Sequence, residues 1–594
     1  MPEAPAPAPP LLRGPRALLA VLTIVAFANA VPNGFVWLDH WQIENGGLTA
    51  SSWADLWHAW QQPLGAMPGW EGAAPYARPV VVLVLSLVHG LAGNHAGAYH
   101  AVAVLLHCAN VVLVYELLTE LAGDSGLAFV AAALFAVHPL QTAAVSWISG
   151  IADPLFTVFV LLAFRFQLAA DKQARVLRLR LAAVLCFLLA LGAKETAAVF
   201  PFLLLGSYAL LPTADCRTKR TLRGASAALA PFVLTLVGIA AYRIAVLGNA
   251  SLGTSVAIIP LRVRLLTLPR LVFSYLALPL RVGSLTICDD YPLSSHPDAA
   301  TLFAVIAIVL LLAAVTAAGR RVPAVAFGVL FMLFGLLPVL NIIPILHYRA
   351  DRFFYFPFIG WALAVVTLLQ AGIAWLRRHT LLSPIHLQRC TTLAGVVMLV
   401  ALASLTIRRN ALFADDVTLF EATVRVSPAC REAHTGLGDA YLRADRTAAA
   451  VAEYEQALPE STRHASYAVT PKILINLGMA RLRLGDYAPA ADAFRRAHDL
   501  QPELLHPLFG LGAANLGLGN VADAAGWLEQ AYARDARDPD IVFNLALADD
   551  RLGRTTEAIA LYEQYLHIAP QGRARGLAEA RMERLFAGQK PAPQ

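Results

Sequence analysis

Eleven apolar runs shape this chain, near residues 17–32, 98–121, 127–143, 154–170, 180–193, 196–212, 226–247, 301–318, 323–340, 354–375 and 392–407. Most approach the roughly 20 residues that a helix needs to cross a hydrocarbon core. In lipid each backbone amide must bond within its own segment or in a closed barrel. Runs this long and this apolar therefore predict an all-α, polytopic bundle of membrane helices. The balance of 58% apolar to 14% charged residues excludes a soluble core of this size. Two further stretches, about 79–93 and 265–281, are shorter and broken by polar or proline residues, and are expected to lie in the interface; the alternative is that both cross, since one crossing alone would switch the side of the basic loops after it.

Charge orients the bundle. Basic clusters at Lys172 to Arg180, Arg217 to Arg223, Arg320-Arg321 and Arg377 to Arg389 mark four cytoplasmic loops, and Arg13 and Arg16 hold the N-terminus on that side. The net charge of +6 is then mostly topology, with no basic aromatic face for nucleic acid. Under this arrangement Asp39, Arg78, His138, Asp153, Lys194-Glu195, Asp289-Asp290 and Asp351-Arg352 gather at the opposite face. Ionisable groups near a bilayer are costly and tend to line sites or pathways. The first run is read as a retained anchor rather than a cleaved leader. Six scattered cysteines show no CxxC and no metal-binding spacing, so neither a disulfide framework nor a zinc site is expected.

After Thr406 the pattern changes. Leu437-Gly438, Leu477-Gly478, Leu511-Gly512 and Leu545-Ala546 occupy one equivalent position, and the last two intervals are 34 residues, the tetratricopeptide period. The first interval is longer, with an insertion near Glu460 to Ser466. Ala450, Ala490, Ala524 and Ala558 follow in register, then Tyr454, Phe494, Leu528 and Tyr562, then Ala457, Ala497, Ala531 and Tyr565. Small residues let paired helices approach and larger ones fill the gap, so these positions are structural. The expected organisation is a disordered tail 1–16, a membrane domain 17–407, a polar linker 408–418, a repeat solenoid of about four units over 419–588, and a tail 589–594.

The matching stretches then name a resemblance. They are Gly34-Phe35-Val36-Trp37-x-Asp39-His40-x-x-Ile43, Tyr76-Ala77-Arg78-Pro79, and Gly97-Ala98-Tyr99-His100 with His107 and Asn110. Next come Leu134 to Pro139, Trp147-Ile148-Ser149-Gly150-x-x-Asp153, Ala193-Lys194-Glu195, Leu337 to Pro344, and Ala350-Asp351-Arg352-Phe353-Phe354-Tyr355. Together with the repeats, this order resembles the GT-C glycosyltransferases, in particular the transmembrane-and-TPR O-mannosyltransferases of the endoplasmic reticulum and their bacterial relatives. Where that family carries two acidic residues in the first loop, this chain has Leu38-Asp39. The family's HPxHxE pattern is His138-Pro139-Leu140-Gln141-Thr142-Ala143 here, and its basic residue two before Asp153 is Ile151.

The resemblance implies inverting transfer of a sugar, a mannose or another hexose, from a polyprenyl phosphate to an acceptor hydroxyl on the non-cytoplasmic face. Such chemistry needs a base for the hydroxyl proton, and Asp39 is the candidate; an Asp in an interfacial aromatic loop is the plainer alternative. It also needs cations for the departing phosphate, and Arg78, Lys194 and Arg352 are the candidates. Simple ion pairs, Lys194 with Glu195 and Arg352 with Asp351, are the alternatives. His40, His138, Asp153, Glu195, Asp351 and Tyr355 are expected in supporting roles, although a histidine at a span boundary, such as His138, is more often structural. No metal site is expected, and a divalent cation as cofactor is left open. The expected partners are the lipid-linked sugar, membrane lipids and a protein or peptide acceptor in the repeat groove. The Ala/Arg/Pro-rich, Lys-poor composition suggests a bacterial inner membrane with a periplasmic array. The lost polar positions leave a second function open, a catalytically degenerate, membrane-anchored scaffold that gathers periplasmic proteins.

Overall fold

The computed structural model describes residues 14–50, 52–61, 78–172, 176–211, 222–247, 259–318, 321–343, 345, 347–379, 383–458 and 471–589. Tyr76-Ala77, Arg320, Pro344, the insertion near 460–466, most of the Arg217 to Arg223 loop and nearly all of the two tails lie outside these residues. The chain forms two compact units, one up to Ala429 and one from Cys430 onward.

All eleven apolar runs fall on helices, as do the two shorter stretches. Among the described residues seven helices are long and apolar enough to cross a membrane, or eight if the pair Ser125–Val137 and Pro139–Val145, bent by 52°, is one span. Pro15–Ala30, Pro79–Ala92, Glu195–Leu210 and Pro323–Val339 are shorter apolar helices. The protein is a multi-pass membrane protein with an all-helical bundle. One segment differs from expectation: Leu261–Leu280, assigned to the interface, reaches spanning length. Arg262 and Arg264 hide its first turn from hydropathy. The helix nonetheless starts at Leu261, and Arg264 spends its charge on the carbonyls of Asn341 (3.0 Å) and Ile342 (2.7 Å).

The stretch 408–418, expected as a linker, is helical for most of its length. Helix Pro384–Asn410 runs through Arg408-Arg409 and continues as a 3-10 turn over Ala411–Phe413. Asp415 then caps helix Asp416–Val426 by accepting from the Thr418 N–H at 2.9 Å. Two of the polar residues here, Arg409 and Asn410, are bound rather than solvated. Arg409 donates to the Thr142 hydroxyl (2.7 Å) and the Leu285 carbonyl (2.5 Å), and Asn410 is fully buried. From Cys430 the second unit is a run of paired helices, Arg431–Arg443 with Thr447–Ala457 through Pro539–Leu552 with Thr555–Ile568, closed by Arg575–Gln589. Each recurring small or aromatic residue of the repeat pattern, from Ala450 and Tyr454 to Ala558 and Tyr562, is buried.

Candidate active site

The loop that follows the first helix is held by the far end of the last membrane helix. The Asn33 amide donates to the Asn410 carbonyl (2.9 Å), Asn29 to that of Ile407 (2.8 Å), and the Gly34 N–H to that of Ala414 (3.0 Å). Asn410 returns bonds to the Ala26 carbonyl (2.8 Å) and the Asn29 side chain (2.9 Å). Residues 377 or more apart in sequence thus set where the loop begins.

Asp39 is fully buried in this loop. Its carboxylate accepts from the Val36 N–H at 3.2 Å, the Ser149 N–H at 2.8 Å and the Ser149 hydroxyl. Burial drives its pKa from 3.8 up to about 7, against the pull of the Ser149 and Val36 bonds and the nearby His40. A carboxylate half ionised near neutrality can both take a proton and give it up, which suits a general base.

Ser149 lies on the segment Trp147 to Asp153, and this segment joins the site together. After helix Thr142–Val145 the chain makes a tight turn, Ile148–Ile151, that leads directly into helix Ala152–Lys172. Gly150 permits that turn, since a Cβ there would sit 2.8 Å from the Ala143 carbonyl oxygen. Three side chains then point to three partners. The Trp147 ring stacks on Trp37 at 4.8 Å, with the Arg352 guanidinium 5.0 Å from its centroid. Ser149 binds Asp39. Asp153 pairs with Lys194 at 2.5 Å, both buried.

The cations cluster. The Phe353 ring has the Lys194 ammonium 5.3 Å and the Arg352 guanidinium 5.1 Å from its centroid. Burial lowers the Lys194 pKa, Asp153 opposes this, and the charges of Arg78 and Arg352 lower it further. Arg78 is held by Glu195 at 3.2 Å, and Glu195 also takes Arg243 at 3.3 Å. Of the ion pairs offered as alternatives, neither forms: Lys194 pairs with Asp153 rather than Glu195, and Asp351 pairs with Arg349 (3.9 Å) and Arg409 (3.6 Å) rather than Arg352. Such a group of cations, each steadied by a carboxylate or a ring, can receive an anion.

The remaining supporting residues have other duties. His40 bridges Glu44 (2.5 Å) and Asp416 (2.8 Å). His138 caps the turn Pro139–Gln141 by accepting from the Leu140 N–H at 3.2 Å, and its other ring nitrogen donates to the Pro279 carbonyl at 3.0 Å. Asp351 accepts from the Thr286 N–H at 2.6 Å, and Arg349 also pairs with Asp289. The Tyr355 hydroxyl bonds His107 (2.8 Å) and Asn110 (3.1 Å) inside the bundle. Gln141 is buried, and among the described residues neither of its side-chain amide atoms has a hydrogen-bond partner. Among the described residues no three His, Cys, Asp or Glu side chains converge to hold a metal ion. Sequence reasoning missed Arg243 and Asp416, and gave Ser149 no role. Ser149 stands inside a quoted motif, and the other two carry no local signal.

Tetratricopeptide repeat families match residues 413–465, 471–504 and 509–573, so the C-terminal unit is a TPR array. The chain is similar to Protein O-mannosyl-transferase TMTC1 of Homo sapiens, 27% identical over 525 residues, covering 76% of this chain and 56% of that protein. It is 36% identical over 169 residues to the Mus musculus TMTC1, covering 27% of this chain and 17% of that protein. It is 38% identical over 92 residues to TMTC2 of the same species, covering 16% and 11%. The chain thus spans about half the length of the human relative and less of the others. Among solved structures it resembles YrrB, a TPR protein with an unusual peptide-binding site, at 16% identity and a TM-score of 0.25, over 32% of this chain and 89% of that one.

Proposed function

We propose that the protein is a membrane glycosyltransferase that moves a hexose from a polyprenyl-phosphate donor to a hydroxyl of an extracytoplasmic protein. In this reading Asp39 takes the hydroxyl proton as the acceptor oxygen bonds to the anomeric carbon. The sugar–phosphate bond breaks on the opposite face, which inverts the configuration, and the lipid phosphate leaves with the electron pair. Arg78, Lys194 and Arg352 meet the charge that gathers on it, which is where preorganised cations lower a barrier most. The repeat array supplies the acceptor, and the site faces the periplasm of a bacterial inner membrane.

One observation carries this reading. The segment from Trp147 to Asp153 joins a carboxylate with a pKa near 7 to two of the three candidate cations, and all come from segments far apart in sequence. The names of the similar proteins point to the same class of chemistry. Purified protein in detergent should turn over a polyprenyl-phosphate sugar in the presence of a periplasmic extract, and Asp39→Asn should abolish that turnover. Wild-type turnover in the mutant refutes the assignment. Leu38, Gln141 and Ala143, standing where the resembling family is polar, favour a second reading as a membrane-anchored scaffold. That reading requires Asp39→Asn to be silent and the fragment from Asp415 onward to bind the same periplasmic proteins as the whole chain.

A further inference from the structure

We propose that Asp416 and Phe420, on the first helix after the membrane bundle, are positioning residues for Asp39. The inference rests on the catalytic reading of Asp39 for its activity arm alone.

Between Val36 and Asp39 the chain makes a turn, with the Asp39 N–H donating to the Val36 carbonyl at 3.0 Å and the Val36 N–H donating back to the Asp39 carboxylate. Trp37 sits in that turn at φ 55, in the left-handed region. A bulky residue is strained there and stays only where its surroundings enforce it. Its neighbours enforce it. Asp416 accepts from the Trp37 N–H at 2.6 Å through one carboxylate oxygen and from His40 Nε2 at 2.8 Å through the other. Phe420, one helical turn further on, meets the Trp37 ring edge-on at 6.0 Å. Trp147 stacks on the same ring.

Asp416 thus brackets Asp39 between two anchors, one two residues before it and one just after it. Asp416 itself is buried and sits in the first turn of its helix, where the helix dipole favours a negative charge. The helix that carries both residues falls inside the stretch matched by the repeat family. Two residues inside the repeat-family match, one expected in the linker and one in the first repeat, therefore shape the Asp39 loop. Loss of the charged acceptor Asp416 loosens the strained Trp37 end of the turn, while Ser149 still holds the Asp39 carboxylate.

The test uses the full chain in detergent. Amide hydrogen exchange is followed over residues 34–45 in wild type, Asp416→Ala, Asp416→Asn and Phe420→Ala. Asp416→Ala should accelerate exchange at Trp37 and Asp39 about tenfold or more, the loss expected for a hydrogen bond to a charged group. Asp416→Asn keeps an oxygen for the Trp37 N–H and should stay within about threefold of wild type. Phe420→Ala, which removes no charge, should fall between the two. Unchanged exchange in both Asp416→Ala and Phe420→Ala overturns the proposal, and so does an equal rise in Asp416→Ala and Asp416→Asn. Where wild type transfers sugar, Asp416→Ala should lower kcat about tenfold with the donor KM within about twofold. An inactive wild type speaks against the proposed function, while the exchange result still decides this one.

Discussion

Removing the Ser149 hydroxyl tests the link between burial, pKa and chemistry. Asp39 stands at about 7 because burial outweighs three hydrogen bonds, of which the Ser149 hydroxyl is the strongest opposing influence. Ser149→Ala keeps the 2.8 Å backbone donor and deletes the hydroxyl. A hydrogen bond to a charged acceptor contributes about 1.5–3 kcal/mol, and one pKa unit is about 1.36 kcal/mol. The Asp39 pKa should therefore climb by about one to two units, to roughly 8–9. The base must be ionised, so activity rises with pH through this pKa. At pH 7 the ionised share should drop from about half to between about 1% and 10%, and the rate by roughly five- to fiftyfold. Turnover of the lipid-linked sugar measured from pH 6 to 10 should show an acid limb displaced upward, with most activity recovered near the alkaline end. An unmoved limb, or a loss of equal size at every pH, would refute the account and leave Ser149 with a purely structural part.

Two further changes read other parts of the molecule. Lys194→Met leaves the buried Asp153 carboxyl without its ion-pair partner, which should cost about 3–5 kcal/mol. Thermal unfolding in detergent should record the loss, and adding Asp153→Asn should restore most stability without restoring sugar transfer; recovery of both would remove Lys194 from the phosphate site. In the repeat unit, a Cβ at Gly438 would lie 2.6 Å from the Tyr454 ring, so Gly438→Ala should destabilise the array by about 1–3 kcal/mol. A melting temperature equal to wild type would mean that the helix pair separates at no cost.

The helices and repeats were legible because their signals are local. Apolar runs near spanning length declare themselves within one window, and the buried series Ala450-Tyr454-Ala457, repeated in each unit, declares helix pairs by spacing alone. Charge interrupted that reading at Arg264, and chain polarity misled it at Arg409-Asn410, where arginine and asparagine bind carbonyls rather than water.

The sequence by itself determined an all-helical membrane bundle, a tetratricopeptide array, and the residues from which a site would be drawn. Only the tertiary structure decided who partners whom. Adjacent residues in a helical turn point in different directions, so Lys194 turns to Asp153 while Glu195 turns to Arg78 and Arg243, and Asp351 turns to Arg349 and Arg409 while Arg352 lies over Trp147. Asp416 reaches Trp37 across 379 residues of chain. No local period encodes such pairs, since they exist only once packing has closed the loops between them.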